Sequence, residues 1–270
     1  MQDFQILKSP MGGYVIHAPK RAKRPDESEG FTPICPFCIG NENEEKEVYR
    51  IGQGGNWQVR VLLNKYPFAP IHEIIIHSPD HHKNFDELPL QQAQTIFEAL
   101  QQRYNANKEK GRVFIFSNHG EQGGESLPHP HTQLVVMPKD IHFELPLLDD
   151  VVSTVSQASY ETKHFFLFCP DTSQWPDEVW FVSKKLNKTF GQISGEERDD
   201  LSFTLQRLMQ IFTVKHGHEF PFNFYIYPNE NWYLRLIPRN KKLGGLEIVS
   251  NVFVNTGDPR ETMKFIREHF

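Results

Sequence analysis

The sequence predicts an α+β fold that consists of two similar units with a mainly antiparallel sheet. Two segments, residues 86–108 and 194–216, have apolar residues at helical spacing, and short strand-like runs flank each of them. Pro138 ends the run QLVVMP, and Pro238 ends the similar run YLRLIP 100 residues later. Short helices and strands in this order fit an antiparallel α+β fold better than a doubly wound parallel sheet. Two unrelated α+β stretches of similar order are the alternative to a duplication.

The first unit is predicted to span residues 1–140. Residues 20–43 are rich in charge, proline and glycine and are predicted to form a loop. The elements that follow are predicted strands at 57–63 and 73–77, a helix at 86–108, a strand at 113–116, a glycine-rich loop at 118–128 and a strand at 132–137.

The second unit is predicted to span residues 141–270 and repeats this order. Its predicted elements are strands at 164–168 and 179–183, a helix at 194–216, and strands at 222–227 and 232–237. Ser194, with Glu197 three residues later, has the capping-box spacing that marks a helix start.

Composition narrows the class of protein. The 270 residues are 38% apolar and 23% charged, which is ordinary for a globular protein. A net charge of −5 provides no basic field for nucleic acid. No signal peptide or membrane-length apolar run is recognised, and the three cysteines do not suggest a disulfide scaffold. We therefore expect a cytoplasmic protein with no nucleic-acid or membrane partner.

The stretch at residues 117–137 indicates phosphoryl chemistry. In an extended strand His129, His131 and Gln133 share one face. The glycines before them can bend the chain and expose backbone N–H groups to a phosphate. Neutral imidazole is a competent nucleophile near neutral pH. A His-x-His pair or a glycine-rich loop alone is more often incidental, but both within one short window favour a covalent transfer site.

This stretch resembles the signature of galactose-1-phosphate uridylyltransferases, a branch of the histidine-triad superfamily that includes ADP-glucose phosphorylase-like proteins. The matching residues are Asn118, Gly120, Gly124, Glu125 and Ser126, followed by His129-Pro130-His131-Thr132-Gln133. The resemblance implies that His131 attacks the α-phosphorus of a nucleotide sugar and that Gln133 holds the nucleotidyl-histidine. It also implies that Ser126, Asn118, Gly124 and Glu125 lie along the phosphates. Glu125 replaces a small residue of the pattern, so specificity at the phosphates can differ.

Other nucleotide and substrate ligands follow from the resemblance. The segment His17–Pro25 is similar to a nucleotide-contacting segment of the family, which implies that Arg21 and Arg24 bind phosphate or ribose. From its residues alone this segment is a solvated loop. The resemblance further implies that Asn64 binds base or ribose and that Glu247 binds the sugar. It also implies a homodimer.

The spacing Cys35-Pro36-Phe37-Cys38 is compatible with half a metal site, a redox pair or an incidental pair. The loop context disfavours a thioredoxin-type motif. In the resembling family, the remaining ligands come from a Ser-Pro-Asp-His segment and from the first histidine of His-Pro-His, which implies His81 and His129 here. Four protein ligands leave no open position, so we expect one structural zinc per chain. His82, next to His81, is the alternative candidate for the third ligand. His72 and His77 are interpreted as sheet or surface histidines, and Cys169 as a core residue.

The second unit is not expected to contain a second site. With Pro138 set on Pro238, positions 129, 131 and 133 correspond to Asn229, Asn231 and Tyr233, none of which is a nucleophilic histidine. The leading functional hypothesis is transfer of a nucleoside monophosphate between a nucleotide sugar and a sugar 1-phosphate through His131. The alternatives are a phosphorylase or hydrolase of the same superfamily, and a non-catalytic zinc-stabilised nucleotide-binding protein.

Overall fold

A ten-stranded sheet in which every neighbouring pair is antiparallel forms the centre of the computed structural model, which describes residues 3–10, 12–24, 35–43, 45–156 and 158–270. A separate two-stranded hairpin precedes it. The strands are β1 (Gln5–Lys8), β2 (Tyr14–His17), β3 (Glu47–Gln53), β4 (Asn56–Leu63), β5 (Ile71–Ile76), β6 (Arg112–His119), β7 (His131–Met137), β8 (Tyr160–Glu161), β9 (Phe165–Phe168), β10 (Val179–Ser183), β11 (Phe222–Ile226) and β12 (Tyr233–Pro238). The helices are α1 (Leu90–Asn107), α2 (Leu148–Val152), α3 (Gly195–His216), α4 (Gly245–Ser250) and α5 (Pro259–His269), with 3-10 turns at Pro19–Lys23, Glu121–Gly123 and Phe190–Gln192.

The sheet contains the same strand order twice. Read outward from its centre, one half runs β6, β7, β5, β4, β3, and the other runs β11, β12, β10, β9, β8. Strands β6 and β11 pair with each other and join the halves. Strands β7 and β12, which carry the two similar runs ending near Pro138 and Pro238, occupy equivalent places. The predicted duplicated α+β fold with an antiparallel sheet is confirmed, whereas the division at residue 140 stays a prediction.

The main core lies between the sheet and the helices α1, α3 and α5. Alternate residues of each strand face this side, because side chains alternate across a strand. On β7 these residues are Thr132, Leu134 and Val136, all of which are buried. The residues between them face the opposite side of the sheet, where the β1–β2 hairpin, the Cys35–Cys38 segment and α2 pack.

Two helix starts show how local chemistry sets the boundaries. Ser194 caps α3 as predicted, with its side chain accepting from the Glu197 N–H and the Glu197 carboxylate accepting from the Ser194 N–H. Helix α1 begins at Leu90 rather than at residue 86. The reason is Pro89, since the residue before a proline is disfavoured in helical conformation.

The loop predicted at residues 20–43 contains a short 3-10 turn at Pro19–Lys23, and residues 25–34 of it lie outside the described residues. Strand β3 and the amphipathic helix α5 were not predicted. Among the described residues, none of the helices has the combination of length and apolar character that a membrane span requires.

A buried ion pair attaches helix α1 to the strand beside β7. Glu73 of β5, only 2% exposed, accepts two hydrogen bonds from the Arg103 guanidinium, at 2.6 and 2.9 Å, and one from Asn107 at 3.2 Å. Without Arg103, the Glu73 carboxylate is a buried charge that has lost its positively charged partner. Breaking such a pair costs more than the net stabilisation that the pair contributes.

We therefore predict that Arg103→Met lowers the free energy of unfolding by roughly 3 kcal/mol, measured by urea denaturation. The matched control is Lys163→Met, since Lys163 pairs with Glu196 at a fully exposed site and its removal is expected to leave the urea midpoint unchanged. An Arg103→Met protein that unfolds at the wild-type midpoint would contradict the prediction.

Candidate functional site

Strand β7 presents the predicted catalytic residues to one side of the sheet. It pairs with β5 on one edge and with β6 on the other, and all its residues are buried. His131 and Gln133, each 8% exposed, face the side opposite the helical core. Both line a cavity of about 330 Å³, a volume within the range of small-molecule sites.

Both apolar and polar side chains line the cavity. The apolar lining residues are Pro36, Phe37, Leu62, Leu63, Ile74 and Leu127, and the polar ones are Arg24, Asn41, Glu45, Asn64, Lys65, Tyr66, Ser126, His131 and Gln133. The structure thus brings together five of the residues predicted to act on substrate: Arg24, Asn64, Ser126, His131 and Gln133. Apolar side chains together with several polar groups are typical of sites for small organic ligands.

The His131 imidazole has a defined orientation. Its Nδ1 lies 2.9 Å from the His129 carbonyl oxygen, so Nδ1 carries the proton and donates it to that oxygen. The ring of Phe37 stands edge-on to it at 5.5 Å. Burial lowers the pKa of His131, which favours the neutral ring. The remaining nitrogen, Nε2, therefore carries the lone pair that nucleophilic attack requires.

The glycine-rich loop bends at two left-handed glycines, Gly120 (φ +71°) and Gly124 (φ +80°). The Asn223 side chain, from the second half, donates to the Asn118 Oδ1 at 2.9 Å and to the Gly123 carbonyl at 2.8 Å. The Glu125 carboxylate accepts the Gly120 N–H at 2.8 Å. Glu125 thus bonds to one of the backbone N–H groups that were predicted to face a phosphate, and Asn118, Gly124 and Glu125 do not line the cavity.

Two other predicted ligands lie outside the cavity. Arg21 donates to the carbonyl oxygen of Tyr66, a cavity-lining residue, at 2.7 Å and lies 4.9 Å from the Phe68 ring centroid. Burial and the neighbouring Arg24 lower its pKa to about 10. Glu247 lies in the first turn of α4, where its carboxylate accepts from the Lys241 ammonium and from the Gly244 N–H. Its acceptor atoms are thus engaged within its own segment.

The four predicted metal ligands form one cluster beside the cavity. The donor atoms of Cys35, Cys38, His81 and His129 all lie within 4.8 Å of one another. The His129 Nδ1 is 3.7 Å from the Cys35 sulfur and 3.6 Å from the Cys38 sulfur. Zinc bonds of usual length at tetrahedral angles separate sulfur and nitrogen by about 3.6 Å. The cluster therefore has the size and the donor set of a zinc site.

The surroundings of His129 also fit a metal. Its Nε2–H donates to the Ser78 carbonyl oxygen at 2.8 Å, which leaves the Nδ1 lone pair directed at the sulfurs. The Asn41 side chain donates to the Cys35 carbonyl oxygen at 2.8 Å and holds the cysteine loop. Phe37, between the two cysteines, contacts both His129 and His131. The metal cluster and the cavity therefore share a wall.

Two histidines contact strand β7 of the candidate site although the sequence analysis gave them no part in it. His72 lies in strand β5 and His77 directly after it, and neither is at the surface, since their exposed fractions are 2% and 4%. His77 is hydrogen bonded to the Thr132 hydroxyl at 2.7 Å on the core side of β7, and His72 lies 2.9 Å from the Gln133 side-chain oxygen. The signal available in the sequence was a histidine–glutamate pair within the apolar strand Ile71–Ile76.

Comparison with known proteins agrees with this geometry. Residues 55–137 match the family model described as galactose-1-phosphate uridyl transferase, N-terminal domain. The chain is 24% identical over 328 aligned positions to an ADP-glucose phosphorylase of Arabidopsis thaliana, covering 99% of this chain and 93% of that one. The chain is thus similar to galactose-1-phosphate uridylyltransferases and their relatives. A galactose-1-phosphate uridylyltransferase of Thermotoga maritima is 25% identical over 235 positions, covering 75% of this chain and 72% of that one.

Structural similarity covers nearly the whole chain. The crystal structure of an Arabidopsis thaliana ADP-glucose phosphorylase with bound ADP-glucose superimposes with a TM-score of 0.74 at 24% identity, covering 98% of this chain and 99% of that one. The same fold therefore extends over both halves. The two sequence relatives are enzymes by name, a phosphorylase and a uridylyltransferase, which supports an enzyme here.

Proposed function

We propose that this protein is a nucleotidyltransferase that moves a nucleoside monophosphate from a nucleotide sugar to an anionic acceptor through a covalent bond to His131. The observation that carries the proposal is the orientation of His131. Its Nδ1–H is bound to the His129 carbonyl, and its free Nε2 belongs to a ring that lines the cavity with Ser126 and Gln133. This is the arrangement that a nucleophilic imidazole needs.

In the first step the His131 Nε2 attacks the α-phosphorus. A nitrogen–phosphorus bond forms, and the bond from phosphorus to the bridging oxygen breaks, so that sugar 1-phosphate leaves as an anion. The ring keeps its Nδ1 proton and becomes cationic, and the His129 carbonyl oxygen at 2.9 Å stabilises that charge. Arg24 and the Ser126 hydroxyl, which line the same cavity, provide a positive charge and a donor for the phosphate oxygens.

In the second step an oxygen of the acceptor attacks the same phosphorus and the nitrogen–phosphorus bond breaks. His131 returns to its neutral form without gaining or losing a proton. Because the acceptor is already an anion, no general base is required. The same site therefore serves either a sugar 1-phosphate, as in a uridylyltransferase, or inorganic phosphate, as in a phosphorylase.

Inorganic phosphate is the second candidate acceptor, and two observations favour it. The relative that matches 99% of the chain is an ADP-glucose phosphorylase. In addition Glu247, the residue implied to bind the sugar, is engaged with Lys241 and Gly244 and does not line the cavity. Incubation of the nucleotidylated protein with galactose 1-phosphate or with phosphate, followed by product analysis, decides between the acceptors.

For the covalent step we predict that His131→Asn abolishes turnover, by about 10⁴-fold or more, because the nucleophile is removed. Intact-protein mass spectrometry after incubation with UDP-glucose, and separately with ADP-glucose, is expected to show wild-type protein heavier by one nucleoside monophosphate and the variant unmodified. The same experiment identifies the base. His142→Asn, the same change at an exposed histidine, is the control and is expected to be labelled normally.

Turnover of a nucleotide sugar by His131→Asn at the wild-type rate would exclude this mechanism.

Gln133→Ala is expected to slow both steps by roughly 100-fold without removing them, since it takes away one hydrogen bond to developing charge.

We further propose that Cys35, Cys38, His81 and His129 hold one structural zinc ion, which secures the N-terminal loop to the start of β7. The four donors complete a tetrahedron, so zinc contributes folding free energy and no step of the transfer passes through it.

Elemental analysis of purified protein is expected to give about one zinc per chain. The double variant Cys35→Ser, Cys38→Ser is expected to lose the metal and to melt at a lower temperature, because metal binding contributes to folding. Cys169→Ala, at a buried cysteine outside the cluster, is the control and is expected to keep its zinc. Full zinc retention in the double variant would disprove this assignment.

A further inference from the structure

One ring nitrogen of His72 lies within hydrogen-bond distance of two amide side chains. The His72 Nε2 is 2.9 Å from the Gln133 Oε1 and 3.1 Å from the Asn64 Nδ2. All three residues lie on the cavity side of the sheet, and both amides line the cavity. A neutral imidazole nitrogen either donates or accepts, so it forms a good hydrogen bond with only one of these two neighbours.

The orientation of Asn64 is fixed independently of His72. The backbone N–H of Tyr66 donates to the Asn64 Oδ1 at 2.8 Å, and the backbone N–H of Asn64 donates to the His72 carbonyl at 2.8 Å. The amino group of Asn64 therefore has to face His72. Consequently the choice of partner depends on which ring nitrogen carries the proton of His72.

Burial determines the protonation of this ring. His72 is 2% exposed, and burial lowers its pKa to about 4, so near neutral pH it carries a single N–H. Among the described residues, its Nδ1 has no hydrogen-bond partner. A buried N–H without an acceptor is less favourable than a bare lone pair, and orphaned donors are correspondingly rare.

The alternative tautomer has a second cost. With the proton on Nδ1, the Nε2 lone pair would face the Gln133 oxygen at 2.9 Å, which is repulsive. With the proton on Nε2, that short contact is a hydrogen bond, and the longer contact to the Asn64 amino group, at 3.1 Å, lies between two donors and is not one. Both arguments favour the Nε2–H form.

We propose that His72 is a positioning residue that fixes the amide of Gln133 through the hydrogen bond from His72 Nε2–H to Gln133 Oε1. This inference rests on the proposed function and deepens it. With its oxygen held by His72, the amide has its amino group at the other end, available to a phosphate oxygen of the nucleotide bound to His131. Turned by half a rotation, the same amide would place an oxygen against that anion.

The geometry makes a direct spectroscopic prediction. Nitrogen-15 NMR of imidazole-labelled wild-type protein at neutral pH distinguishes a protonated ring nitrogen from a bare one. His72, assigned from its loss in His72→Gln, is expected to have a protonated Nε2 and a bare Nδ1. A proton on Nδ1 would overturn the proposal, and this readout does not depend on any substrate.

The kinetic test is a double-mutant cycle on single-turnover nucleotidylation of His131. His72→Phe removes the hydrogen-bond donor but keeps an aromatic ring beside Phe68. In the wild-type protein the ring centroids of Phe68 and His72 are 4.4 Å apart. We expect His72→Phe to slow the covalent step by roughly 10-fold to 100-fold, with a smaller effect on nucleotide affinity. In a Gln133→Ala background the same change is expected to have no further effect, because His72 acts through Gln133.

Rescue separates positioning from packing. His72→Gln places an amide N–H near the position of the original Nε2 and is expected to recover most of the rate. Independent, multiplicative effects of His72→Phe and Gln133→Ala, or a His72→Gln variant as slow as His72→Phe, would indicate a structural role and overturn the proposal. If His72→Phe does not fold, the rescue variant and the NMR measurement still decide. Wild-type protein that forms no covalent adduct would refute the proposed function alone, since the tautomer is read without substrate.

Discussion

The register of strand β7 is the constraint on which the site depends. Because the strand pairs on both edges and is buried on both faces, its side chains are divided strictly between two environments. Thr132, Leu134 and Val136 face the helical core, while His131 and Gln133 face the cavity. A slip by one residue would move the polar pair into the core and a leucine into the cavity. The free-energy cost of placing both kinds of side chain in the wrong environment therefore opposes such a slip. His129, two residues before the proposed nucleophile His131, connects the same register to the candidate metal cluster.

In the second half, packed side chains occupy the face that corresponds to the cavity. On β12, which is equivalent to β7, the face that corresponds to the cavity carries Tyr233 and Arg235. Arg235 donates two hydrogen bonds to Glu178, at 2.9 and 2.7 Å, and its guanidinium lies 5.2 Å from the Trp180 ring centroid. Leu148 and Val151 of helix α2 pack on this aromatic cluster. Packed side chains fill this space, so the two halves of the sheet have the same strand order but differ on this face.

Sequence patterns predicted the features that depend on local spacing. Alternation placed His129, His131 and Gln133 on one face, the capping box at Ser194 located α3, and the repeated runs before Pro138 and Pro238 indicated the duplication. The metal cluster was found because its four ligands stand in recognisable short motifs. The sequence patterns missed or misplaced features that depend on contacts formed only in the folded chain. The role proposed for His72 depends on an amide 61 residues away. The engagement of Glu247 by Lys241 depends on where α4 begins, which no periodicity in the sequence indicates.

The second half still contacts the half that contains the cavity, through the central strand pair of β6 and β11. Asn223 of β11 lies directly opposite Asn118 of β6, and its amide is held by the Arg239 guanidinium, which donates to its oxygen at 2.6 Å. The amino group of Asn223 then donates to the oxygen of Asn118, as His72 is inferred to do for Gln133. In both cases a donor binds the carbonyl end of an amide side chain and so fixes its orientation. Arg239, which follows β12, therefore orients through Asn223 the side chain of Asn118, next to the end of β6 where the glycine-rich loop starts, so the second half supports the position of this loop.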